Sequence, residues 1–85
     1  MNGNQVIDRN YDYAAARRLW QAVLLEQWRV VFRPCASDGP NDRRQAIRFF
    51  QSRDLHAVCA LAGLDSVAVF ERWLDRMAEI EQGVE

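Results

Sequence analysis

The chain has no lysine. Its 11 basic side chains are all arginine, so every positive site is a planar fork able to hold a carboxylate or phosphate through two hydrogen bonds. It has one histidine and two cysteines. That supply excludes the disulfide framework of a small secreted domain. A zinc site built from Cys35, His56 and Cys59 lacks a fourth ligand and the close cysteine pairs such sites use. No metal and no cofactor are expected. The four glycines form no phosphate-cradling loop. The longest apolar stretches are far short of a membrane span. The N-terminus carries no basic, apolar, small-residue leader pattern. A cytoplasmic protein with no membrane contact is expected.

Aromatic and aliphatic side chains are plentiful. The 85 residues are 49% hydrophobic and include three Trp, four Phe and two Tyr. That is the material of one folded domain with a small core, far from a disordered composition.

The net charge is −1, which gives no global pull on a polyanion. The charge is unevenly placed. Residues 29–53 carry six arginines against two aspartates, a local +4, and residues 54–85 carry seven acids against two arginines, a local −5.

Residues 1–9 lack periodicity and read as a loose tail, leaving residues 10–85 as the helical domain. A long helix is expected from Tyr11 to Arg33, capped by Asn10 with Asp12 in its first turn. Tyr13, Ala16, Trp20, Val23, Leu24, Trp28 and Val31 share one face at helical spacing, while Arg18, Arg29 and Arg33 share another. Pro34 stops it. Residues 34–41 read as a loop. Asp42, with Gln45 three residues on, has capping-box spacing and is expected to open a second helix whose apolar side is Ala46, Ile47, Phe49 and Phe50. Ser52 is expected to cap a third helix, with Leu55, Val58, Cys59 and Leu61 or Ala62 facing inward, and Gly63 as its left-handed stop. Asp65 or Ser66 caps the last helix, which runs to about Gln82 with Val69, Phe70, Trp73, Leu74, Met77 and Ile80 as its stripe. No segment alternates long enough for a strand. The expected fold is all-α: a small orthogonal four-helix bundle with a long first helix. Trp20, Trp28, Phe49, Phe50 and Trp73 would supply most of its buried area.

The order helix, Gly63, short turn, helix is that of a helix-turn-helix. Cys59 is small, Gly63 permits positive φ, and Leu64 with Val69 can fill the angle between the helices. The residues that should then meet base edges are Asp65, Ser66, Val67, Phe70 and Glu71, whereas base readout favours Arg, Lys, Asn and Gln. A looser contact with nucleic acid, or with a DNA-bound complex, would use Arg43, Arg44, Arg48 and Arg53 on phosphates, with Ser66 at the start of the last helix.

The pattern Ser52-x-Asp54, then Val58-Cys59-x-x-Ala62-Gly63-Leu64-Asp65, downstream of Trp20-x-x-Val23-Leu24-Leu25, resembles small helical proteins of proteobacterial phages and prophages. The resemblance covers most of residues 15–74. It implies no settled activity; the expected role is a small non-enzymatic regulatory binding module of phage or prophage type. Such proteins often have proline after the aspartate and basic residues soon after it, where this chain has Ser66 and Phe70-Glu71.

The competing reading is a protein-binding inhibitor or adaptor acting on a host or phage protein. Leu25 and Phe32 lie on the shoulder of the first helix, about 120–140° from the Trp20-centred stripe at 100° per residue. They are either embraced by neighbours or present a surface to a partner, which includes a second copy of the chain. Glu71 and Asp75 begin an acidic side on the last helix, suited to a basic partner. His56 precedes Cys59 by one helical turn, but nothing marks an orienting group or an oxyanion site, so no enzyme is expected.

Overall fold

The computed structural model describes residues 12–83. They form four helices and no strand: α1 (Tyr13–Phe32), α2 (Pro40–Phe50), α3 (Arg53–Ala62) and α4 (Ser66–Glu81). The fold is all-α. The tail expected over residues 1–9, and the cap expected at Asn10, lie outside the described residues.

Local chemistry sets each boundary. Asp12, expected in the first turn, instead caps α1, its carboxylate accepting from the Ala15 amide at 3.0 Å. At the other end the Arg43 Nε donates to the Val31 carbonyl at 2.9 Å, satisfying a C-terminal orphan of α1 from the next helix. Pro40 opens α2 at a position where its missing N–H costs nothing. Asp42 therefore does not cap α2, contrary to the sequence expectation. It sits inside the first turn and accepts from the Gly39 amide at 2.9 Å, the reciprocal half of a capping box. The loop is correspondingly shorter than residues 34–41.

Ser52 caps α3, accepting from the Asp54 amide at 3.2 Å. Gly63 ends it with φ 74°. The Leu64 amide reaches back to the Cys59 carbonyl at 2.8 Å, and the Gly63 amide to that of Ala60 at 3.3 Å. Those two bonds make a Schellman stop. Asp65 then caps α4 through the Val67 amide at 3.0 Å.

The core is built from Leu24, Val30, Val31, Ala46, Phe50, Leu55, Cys59 and Trp73. Trp73 is 1% exposed and stacks on Phe50, with centroids 5.2 Å apart and planes 14° from parallel. Trp28 meets Phe50 edge-on at 5.8 Å. Phe70 stacks on Trp73 at 6.0 Å and is half-buried. Trp20, Trp28 and Phe49 are half-buried rather than enclosed.

α3 returns along α1. The Gln21 side-chain amide donates to the Ala62 carbonyl at 3.0 Å, and a Cβ on Gly63 would meet Arg17. Tyr13, expected on the inward stripe, is 59% exposed. Leu74, expected in the α4 stripe, is exposed as well, and so is Leu64, expected to fill the turn. Of the alternatives Leu61 and Ala62, Ala62 is buried.

The link between α1 and α2 is fixed by Arg29. It pairs with Glu26 at 2.7 Å and with Asp38 at 3.0 Å. Asp38 also accepts from the Cys35 amide at 2.9 Å. The Arg29 guanidinium and that amide hold the Asp38 carboxyl down at about 2, and the two carboxylates push Arg29 further up.

Candidate functional site

Leu24 faces the core, so Leu25, about 100° round the helix, faces away from it. Leu25 is 68% exposed. The closest backbone neighbour of α4 is α3 rather than α1. Between α1 and α4 an open trough of about 540 Å³ remains, lined by Leu24, Leu25, Trp28, Leu64, Asp65, Ala68, Val69 and Arg72. Its floor is aliphatic and aromatic, and its two charges sit on the α4 rim.

A second hollow of about 370 Å³ continues from Leu25 and Trp28 towards Phe32, Arg33 and Arg76. Phe32 is half-buried and lies 4.9 Å from the Trp28 ring. The Arg76 guanidinium lies over it at 5.8 Å and also pairs with Glu79 at 3.0 Å. Leu25 and Phe32, singled out on the helix shoulder, therefore meet along one groove. Phe32 forms its wall, and Leu25 stands open to solvent. Glu71 and Asp75 are exposed on α4 and line neither hollow.

The four arginines proposed for phosphates divide. Arg43 is half-buried and committed to the Val31 carbonyl. Arg44 and Arg48 are exposed one turn apart on α2, and Arg53 is exposed at the start of α3. Among the described residues none of these three forms an ion pair. Ser66 does not project freely. Its hydroxyl is 2.5 Å from the His56 Nδ1 and it is half-buried, tying α3 to α4. The exposed surface at the opening of α4 is Asp65, Val67 and Ala68.

Cys59 is fully buried, and burial raises its pKa. His56 is exposed and turned to Ser66. Cys35 lies in the α1–α2 link, 3.1 Å from the Ser37 hydroxyl. No group of three or more metal-binding side chains occurs among the described residues. No described helix is long and apolar enough to cross a membrane.

The sequence reading missed Leu64, Ala68 and Arg72 as trough residues. One signal was present. Asp65, Ala68 and Arg72 fall on one face of a helix, and Leu64 follows the glycine stop. Comparison of the chain with protein-family models, curated proteins and solved structures returns no match.

Proposed function

We propose that this chain is a non-enzymatic docking module of phage or prophage type, a small regulator acting through protein contacts at the α1–α4 trough. The α3–turn–α4 pair serves as architecture that holds the trough open. The observation carrying this reading is Leu25, 68% exposed above an aromatic and aliphatic floor. Covering one such leucine is worth about 1.5–3 kcal/mol, and a groove between helices is the usual receptor for an amphipathic helix.

Anilinonaphthalene sulfonate, an apolar dye, tests it. Saturable fluorescence enhancement is expected from the folded chain, with loss in Leu25→Arg and unchanged helicity by circular dichroism. An absence of saturable binding by the chain in its monomeric state removes the reading.

A second reading is favoured by Arg44, Arg48 and Arg53, exposed without acidic partners among the described residues. They would hold phosphates of a nucleic acid without reading its bases. Three such contacts give a log K against log salt slope of about −2 to −3 on random duplex. No binding at low salt eliminates it.

A further inference from the structure

We propose that the α1–α4 trough receives the same face of a second copy of this chain, with the two α4 helices antiparallel across a twofold axis. This rests on the trough being a docking surface and names what fills it.

Charge register carries the argument. Asp65 and Arg72 both line the trough and both are exposed. They stand seven residues apart, so they share one face of α4 at about 10.5 Å along its axis. That is too far to pair with each other. Asp65 uses one carboxylate oxygen on the Val67 amide. Among the described residues Arg72 has no ion pair.

A twofold interface is self-complementary: what residue i gives to residue j, j gives back to i. With the axis between Ala68 and Val69, Asp65 falls opposite Arg72 of the second copy, and Arg72 opposite its Asp65. Ala68 falls against the second copy's Val69. A methyl group at the crossing lets helix axes approach to about 8–10 Å. Leu25 and Leu64 of each copy flank the crossing and lose their exposure. A helix bearing charge of one sign would meet one favourable and one unfavourable rim charge. The chain's own α4 meets two favourable ones.

Sedimentation equilibrium from micromolar to millimolar concentration tests the arrangement. The wild type is expected to form a reversible dimer that weakens with added salt. Arg72→Asp sets acid against acid, and Asp65→Arg sets base against base. Each is expected to self-associate at least tenfold more weakly. Asp65→Arg also removes a helix cap, so thermal melts accompany both variants, and Arg72→Asp leaves the cap intact. An equimolar mixture of the two restores both ion pairs, and a heterodimer is expected from two monomeric parents. A folding defect cannot produce that rescue.

A wild type monomeric throughout overturns the proposal. So does a dimer that Leu25→Arg and Arg72→Asp both leave unchanged, or a mixture that stays monomeric. A monomer that still binds anilinonaphthalene sulfonate, and loses it in Leu25→Arg, overturns the second copy while the docking reading stands. A monomer that binds no dye removes both.

Discussion

Single residues in this fold are separated sharply by their surroundings, and the two thiols show it. Cys59 is enclosed in the core, where burial first, and the Asp65 carboxylate second, oppose its ionisation. Cys35 is exposed. Thiolate is the reactive form, so iodoacetamide on the native chain should give one adduct, at Cys35. The second should follow only in denaturant. Two adducts at equal rates would contradict the packing of α3. Asp38 shows the same dependence in its charge. Its folded pKa of about 2 lies below the ordinary 3.8. The carboxylate is thus favoured in the folded state, and its contribution is complete above the ordinary value. It declines as pH falls from there towards about 2. Acid unfolding of the wild type should therefore lose stability across that interval. Asp38→Asn should lose less there, while being less stable than wild type near neutrality. Equal acid slopes in both would remove Arg29 as the clamp of the α1–α2 link.

At the scale of elements, the stops and caps were the most legible part of the chain. Gly63 and Ser52 were read as terminators, and Asp65 as one of two candidate caps with Ser66, from residue type and spacing alone; Gly63, Ser52 and Asp65 each make the bond their type allows. Gly63 has φ 74° with Leu64 bonded back to Cys59. A side chain in that backbone region costs about 1–2 kcal/mol, and a Cβ there would lie 3.0 Å from Arg17 Cδ. Gly63→Ala should lower stability by about that amount in urea, with an unchanged m-value. Gly83→Ala, also at positive φ but with open space around it, isolates the backbone share of the penalty. The opening of α2 was less legible, because Asp42 fits both a cap and a first-turn acid, and only Pro40 at the first helical position decides between them. The inward face of α1 was legible near Leu24, Trp28 and Val31. It failed at Tyr13, which is exposed, because periodicity marks a face without saying how deeply each residue on it is buried. Arg43 escaped for a related reason: its partner is a carbonyl twelve residues away, and no side-chain pattern announces one. Leu25 and Phe32 were marked by their angle on α1, but the trough they share depends on where α4 lies, which is a tertiary fact.

At the scale of the whole molecule, α4 is held differently from the rest. α1 packs broadly on α2 and α3, whereas the main backbone approach of α4 is to α3. Beyond the Ser66–His56 contact on α3, α4 reaches the other helices through long side chains such as Trp73 on Phe50 and Arg76 over Phe32, with Val69, Phe70 and Met77 packed against the core. The trough is the consequence, since a helix kept off α1 by aromatic rings leaves an open groove above them. Such a helix has a single dominant anchor. Trp73 is almost wholly buried and, among the described residues, its indole Nε1 has no hydrogen-bond partner, so what it contributes there is packing. Stability in domains is distributed over cooperative units, and units with few buried contacts open at lower free energy. In native-state hydrogen exchange, the amides of α4 should open together, below the free energy that exposes α1 and α3. Trp73→Ala removes the anchor at a cost of about 3–5 kcal/mol, comparable with the lower end of the total stability of a small domain. It should bring α4 exchange close to the unfolded rate, with Phe50 and Trp28 newly open to solvent. Trp73→Phe forfeits area but no hydrogen bond, and should keep α4 protected. Uniform exchange across all four helices would mean that α4 is not a separate unit. The trough would then be fixed by contacts other than the Phe50–Trp73 stack.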